Sequence, residues 1–562
     1  MKKLVYIPIF FWMIMVFSSC LDEKLYDKYT SDDFFTDVNR MDMAVLGCYA
    51  SLQGNAVYGQ NLFTAYDSDT DLQFAQGLAV PTTNYIRNIG HYYILPSETG
   101  IENTWKALYA GIRDANMVLA NADQVPRESD EEQKKWESLV GEAKFLRALM
   151  YFELVRFWGD VPLILDVQGV HSDMSVERTD RALVYDRIVK DLEESYEVLP
   201  WHDEMTTYVC RAHKSAAMGL LARVNLYRAG YSLHQDGTMK RPDNYKEYYE
   251  EVLEWTKLLI ESGKHELSAD YEQIFKNQCQ FVLEPEECIF EIDLHFSSGN
   301  MSGGVMGYYN APKVEEGKYH VTTARVNTHH GFWMMFEEGD KRRAVSVGNF
   351  KTDKNGNQTE IKPASSETYG IGKWRREYQT EAQFSDLSTS INFVLLRYSD
   401  VLLMRAEALN EVNDGPTDEA VELVNQVRRR GYGLPANTAV AEKDAESGYV
   451  DKQLADFTGH DAFLSFIQDE RARELAFESA IRRTDLIRWN LLAKKITDTY
   501  NYVEEHRDGR ATEGTPVFYN NSFRFVAYEH FTPGKHELYP IPAREIRENS
   551  ALKGAQNPGY AE

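Results

Sequence analysis

Positive charge is what this sequence most conspicuously lacks. Its 61 Lys and Arg stand against 87 Asp and Glu, a formal net charge of −26. Such a chain repels phosphate backbones over most of its surface, which argues against nucleic acid as a partner. Cysteine is also scarce, five in 562 residues. None forms a CxxC, and no Cys/His group has zinc spacing, so no metal centre is expected. Cys48, Cys210, Cys279 and Cys288 read as free or incidentally paired rather than as a disulfide framework. No GxSxG nucleophile elbow occurs. GIGKW at 370–374 lacks the hydroxyl residue and the upstream glycine of a phosphate-binding loop. DSDTD at 67–71 opens like a calcium loop, but Leu72 and Leu78 stand where that loop needs Gly and Glu. His329 and His330 have no third ligand at helical spacing. No cofactor is implied. Some carboxylate pair could fall at glycosidase spacing by chance, but nothing marks one.

Long apolar runs are absent too, with one exception. Leu4 to Phe17 is unbroken, follows Lys2 and Lys3, and is shorter than the roughly 20 residues of a spanning helix. It reads as the core of a secretory leader over 1–19. Ser18 and Ser19 then precede Cys20. The junction resembles the cleavage box of bacterial lipoproteins, in which the cysteine becomes the acylated N-terminus. It departs from that box at Phe17 and Ser19, where Leu and a smaller residue are usual. The alternative is an ordinary leader with Cys20 buried or disulfide-bonded. Several acyl chains, at about 0.8 kcal/mol per buried methylene, would give a lasting anchor. Residues 20–37 then form a lipidated tether.

What is present is helical periodicity. A helix-like stretch spans 38–52, and a loop-rich segment with many tyrosines fills 54–101. Trp105, Leu108, Ile112, Ala115 and Leu119 restore helical spacing. The longest apolar stripe runs from Trp136 through Leu146 to Phe157, and Gly159 and Pro162 stop it. Amphipathic stretches follow at 180–199, 213–230 and 245–263. Helix pairs of this size cannot bury their faces alone, so neighbours must cover one another, as in a tetratricopeptide-like array. The alternative is an irregular helical domain. From 281 the character changes. ECIFEIDLHF alternates like a strand, and 297–385 is rich in Gly, Ser, Asn, Thr and Tyr. Helices return at 398–411, 416–431 and 461–479, and a proline- and glycine-punctuated tail is expected to wrap the surface of the helical body.

The loop-rich segments carry an excess of aromatic side chains. An aromatic face can cover the C–H face of a sugar while neighbouring polar groups satisfy its hydroxyls. The bland reading of each ring is core packing. As positional candidates for ligand contact the two loop regions offer Asp69, Arg87, Tyr92, Tyr93, Tyr308, Tyr309 and Trp333. Glu142, Arg147, Glu153 and Arg156, at pairing distances along one helix, read as scaffold, as do Asp400, Arg405 and Glu407.

Several segments together resemble the SusD/RagB family of outer-membrane nutrient-binding lipoproteins. They are GEAKFLRALMYFELVRFWGDVPLI (141–164), HKSAAMGLLARVNLYRAG (213–230), LLRYSDVLLMRAEALNE (395–411), VELVNQVRRRGYG (421–433), DERARELAFESAIRRTDLIRWN (469–490), and the closing ELYPIPAREI and QNPGY. Ile481 and Thr484 depart from the usual His-Arg-Trp-Phe-Asp pattern. The resemblance implies a mainly α fold: a right-handed array of tetratricopeptide-like hairpins with a loop-rich region and short strands packed on it. It divides the mature chain into an N-terminal half, 38–280, and a C-terminal half, 281–562, that holds the ligand region. It further implies a non-catalytic lipoprotein, anchored at Cys20 in the outer membrane and facing the exterior. Such a protein captures oligosaccharides for a SusC-type TonB-dependent transporter. Peptide or another polymer as ligand, a surface glycoside hydrolase, and a purely structural repeat protein are the alternatives.

Overall fold

The computed structural model describes residues 34–167, 175–205, 210–295, 303–380 and 388–561. The leader, Cys20 and most of the expected tether lie outside the described residues.

The main helices in chain order are α1 (Val38–Gln53), α2 (Tyr85–Gly90), α3 (Thr99–Asn121), α4 (Asp130–Trp158), α5 (Arg181–Val198), α6 (Lys214–Arg228), α7 (Tyr245–Glu261), α8 (Tyr271–Cys279), α9 (Tyr398–Val412), α10 (Asp418–Gly431), α11 (His460–Leu475), α12 (Arg482–Arg488) and α13 (Leu492–Glu505). Local chemistry sets their ends. Asp37 accepts from the backbone N–H groups of Asn39 and Arg40 and caps α1. At α4 Ser129 accepts from the Glu132 N–H while the Glu132 carboxylate accepts from the Glu128 N–H, and Gly159, at φ 72°, ends the helix.

The long helices pack as successive pairs: α1 with α3, α4 with α5, α6 with α7, and α9 with α10. Each pair leans on the next through α3–α4, α5–α6 and α7–α9, and α11 closes against α9 and α10. This is the stacked-hairpin architecture expected from the periodicity, and its core is continuous along the series. Two short ribbons lie beside it. β2 (Cys288–Ile292) pairs antiparallel with β4 (Phe393–Arg397) and sits on α6. There a Cβ on Gly219 would come 2.0 Å from Leu396 Cδ2, so a larger residue would force that buried side chain to shift. β1 (Gln73–Ala75) pairs antiparallel with β3 (Val326–Thr328), joining the two loop-rich regions 251 residues or more apart in sequence.

Charge inside the frame is paired across elements. Arg397, on β4, meets Glu287 at 2.6 Å, Glu474 at 3.0 Å and Glu478 at 2.6 Å. Arg342 meets Asp340, Glu470 and Glu474, and Arg430 of α10 meets Glu287 and Glu474. Asp400 joins Arg223 of α6 to Arg471 of α11. Burial pushes the Glu474 and Asp400 carboxyls up, but the surrounding guanidinium groups outweigh it and leave both at about 2. Asp400 and Glu407 are therefore scaffold, as expected, and Arg405 bonds the Leu253 carbonyl from α9.

Two expectations are corrected in detail, and the reading of the cysteines as free holds for the four described. Arg156 does pair with Glu153, but Arg147 reaches Asp191 on α5 and Glu142 takes Arg211, because these side chains tie helices together rather than pairing along one. The tail does more than wrap the surface. Tyr539 and Ile541 are core residues, and the Trp158 indole donates to the Pro540 carbonyl. All four described cysteines are free and buried.

Candidate functional site

The DSDTD stretch explains itself in three dimensions. Asp67 accepts from the Arg483 backbone N–H, and burial pushes its carboxyl up to about 7. Asp71 takes both Arg482 bonds, at 2.9 and 2.6 Å. Asp69, held at φ 52°, accepts from the Ala75 N–H at 2.6 Å and lies 2.5 Å from His91 Nδ1. All three carboxylates have protein partners, so the acidic alternation fastens a loop to α12 and to β1 rather than surrounding a cation. No His/Cys/Asp/Glu group among the described residues could hold a metal ion.

Beside this loop lies a cleft of about 490 Å³. One wall is Asp69, Phe74, Ala75, Gln76, Gly77, Leu78 and His91, from β1 and the turn after it. The other is Asn520 to Val526, with Ser366 and Thr368. Phe74 and Phe523 meet edge to face at 5.2 Å across its floor. Asn520 shapes the second wall: its side-chain Oδ1 accepts from the Ser522 and Phe523 N–H groups while its Nδ2 donates to the Ser365 carbonyl. A smaller pocket adjoins through Thr368, Asn520 and Phe523, with Lys362 on its rim. In its wall His330 stacks on Phe518 at 3.5 Å, and Phe518 lies 5.1 Å from His506. Burial pushes the His329 and His330 imidazoles down to about 4, so both are neutral packing rings at pH 7.

His91 pins the first wall. Its Nε2 lies 2.7 Å from the Gly77 carbonyl oxygen and its Nδ1 faces the Asp69 carboxylate. The carbonyl can only accept, and so can the carboxylate once ionised, so both bonds form together when both ring nitrogens carry protons. Burial disfavours that cation, but the Asp69 charge and the bonds to Asp69 and Gly77 outweigh burial and raise the imidazole above its ordinary value.

The candidate residues divide. Asp69 lines the cleft. Arg87 borders it, with Nε 2.7 Å from the Gln76 carbonyl. Tyr309 hangs on the far side of β3, where its carbonyl accepts from the Val326 N–H and its ring lies 5.5 Å from the Arg325 guanidinium. Trp333, half-buried, stands 6.1 Å from Tyr369 of the smaller pocket. Tyr93 packs on His530. Tyr92 and Tyr308 offer no ring face to a ligand. Tyr92 is 2% exposed against Phe531 and donates to the Asp69 carbonyl, and Tyr308, 7% exposed, is stacked beneath Tyr309. The structure adds Phe74, His91, Asn520, Asn521, Phe523 and Arg524. The last four come from NNSFRF, whose alternation of amides and aromatics was the available signal.

Comparison with known proteins agrees with the fold. The SusD family model matches residues 297–560, and a model described as starch-binding and associating with the outer membrane matches 21–226. The chain belongs to the SusD/RagB family. SusD-like protein P25 of Formosa agariphila is 25% identical over 600 residues, covering 98% of each chain. The solved SusD homologue of Bacteroides thetaiotaomicron superposes with a TM-score of 0.81 at 28% identity, over 94% of this chain and 98% of the other. A SusD-like protein described as laminarin-binding shares the fold at TM-score 0.69 and 21% identity, over 94% and 100%. Among the described residues of this SusD-family chain no helix is long and apolar enough to cross a membrane.

Proposed function

We propose that this SusD-family chain is a cell-surface receptor that captures oligosaccharide in the cleft between the Phe74 and Phe523 walls and hands it to a SusC-type TonB-dependent transporter. The observation that carries the reading is the cleft's composition: two aromatic rings at its floor and amide, hydroxyl and guanidinium groups along its rim. A sugar ring over Phe523 loses water from its C–H face at little cost. Asn521, Ser522 and Arg524, all exposed, then replace water at its hydroxyls. Laminarin binding by a neighbour of the same fold supports glycan as the ligand class.

In this reading residues 1–19 are a leader, Cys20 carries the lipid, 20–37 tether the body to the outer leaflet, and the halves 38–280 and 281–562, expected to divide into frame and ligand region, each supply one wall of the cleft. The protein binds without catalysis. The test is titration of the purified protein with an oligosaccharide panel, assayed in parallel for release of reducing ends. Saturable heat without new reducing ends, weakened about ten-fold in Phe523→Ala, is expected. Turnover of the polymer, or binding of peptides alone, overturns the reading. Co-purification of a large outer-membrane barrel with the tagged protein tests the delivery step, and mass spectrometry of the mature N-terminus tests the anchor.

A further inference from the structure

Several basic side chains about the cleft lack a bonded carboxylate among the described residues. Arg87 spends only Nε, on the Gln76 carbonyl, which leaves its terminal nitrogens without a bonded carboxylate. Lys362, exposed on the rim of the adjoining smaller pocket, has no ion pair among the described residues. Arg524 reaches only the exposed Glu529, at 3.5 Å. The nearby acids add little opposing charge. Asp69 is matched by His91, and Glu367 of the smaller pocket is held by Lys313 and Lys351. A positive mouth on a chain of net charge −26 draws in an anion that the rest of the surface repels.

We infer that the occupant of the cleft is an acidic glycan whose carboxylate or sulfate groups pair with Arg87, Lys362 and Arg524. This deepens the proposed function and rests on it. Planar guanidinium groups suit either oxyanion bidentately, so the shared chemistry is a glycan with repeated oxyanions.

The experiment is calorimetric titration of the full chain in detergent with five polymers: polygalacturonate for carboxylate, κ-carrageenan for sulfate ester, laminarin and dextran as neutral glycans, and polyglutamate as an acidic non-sugar. Each is run at low and high sodium chloride. At least one acidic glycan is expected to bind about ten-fold or more tightly than either neutral one, and to weaken by about ten-fold as salt screens the rim. Which acidic polymer binds assigns the oxyanion. The double variant Arg87→Gln, Arg524→Gln is expected to erase that preference at unchanged melting temperature. Neutral glycan binding that is equal, indifferent to salt and unchanged in the variant overturns the inference and leaves glycan capture standing. Polyglutamate binding as tightly as any glycan, or binding of none of the five, overturns both.

Discussion

In the frame between α9 and α12 the buried guanidinium groups, Arg483 excepted, have carboxylates around them, and at the cleft rim the same groups stand open. Arg397 contacts three glutamates at 1% side-chain exposure, whereas Arg524 is 53% exposed and reaches one. The two regions teach what charge does at different depths. Inside, ionised partners are bound by geometry. Replacing a whole cluster with apolar residues can be neutral, but removing one member strands the others. Outside, a screened cation contributes little to folding and is free to meet a ligand. The contrast predicts that substitutions in the frame move stability and substitutions at the rim move affinity.

The largest expected effect breaks the frame. Glu474 receives Arg342, Arg397 and Arg430. Glu474→Gln leaves those guanidinium groups short of charge and is expected to cost about 3–5 kcal/mol, read by urea denaturation. The same cluster sets the acid limit. With Glu474 and Asp400 both held at about 2, against ordinary values of 4.5 and 3.8, their stabilisation is complete above the ordinary carboxylate range and is lost as pH falls through about 2. Melting temperature measured downward from pH 5 should fall, and the fall should be shallower in Glu474→Gln. A parallel fall in both proteins would place the acid limit elsewhere.

Next come the aromatics, which sharpen the contrast. Tyr308→Ala empties a buried site and is expected to cost about 3 kcal/mol. Phe523→Ala, at a half-buried ring on the cleft floor, should weaken the glycan by about ten-fold, near 1.4 kcal/mol, with a smaller stability loss. If Phe523→Ala lowered stability more than Tyr308→Ala, the assignment of wall and core would be reversed.

The hairpin frame was legible because its signal is local. Periodicity, the Gly159 stop and Pro162 after it place α4 from sequence alone, and the Ser129 cap is what the structure adds. The cleft was not, because its walls come from residues 69–91 and 520–526, which meet only after β1 has paired with β3 and the C-terminal loops have folded over them. Asp69 and Arg87 were placed at or beside the cleft, yet Tyr92, next to His91, turned inward. A tyrosine in a loop-rich stretch carries no mark of which way it faces. Short helices such as α8 and α12 were missed because one or two turns hold too few apolar repeats to show a period.

The smallest effect tests the hinge between the two regions, the His91 bridge from Asp69 to Gly77. A raised imidazole value in the folded state means that its contribution is complete below the ordinary 6.5 and is lost as pH rises through the folded value. Deprotonation removes one of the two bonds, worth about 0.5–1.5 kcal/mol net. Asp67 and Glu291 at about 7 and Lys373 at about 8 titrate in the same window, so the whole-protein curve cannot isolate it. The difference between wild type and His91→Gln can, because the other groups cancel. That difference in unfolding free energy should shrink from pH 6 to pH 9, and the imidazole resonances should titrate above the ordinary value. A pH-independent difference would mean that His91 holds Gly77 as a neutral ring, and that the cleft's first wall is fixed by packing alone.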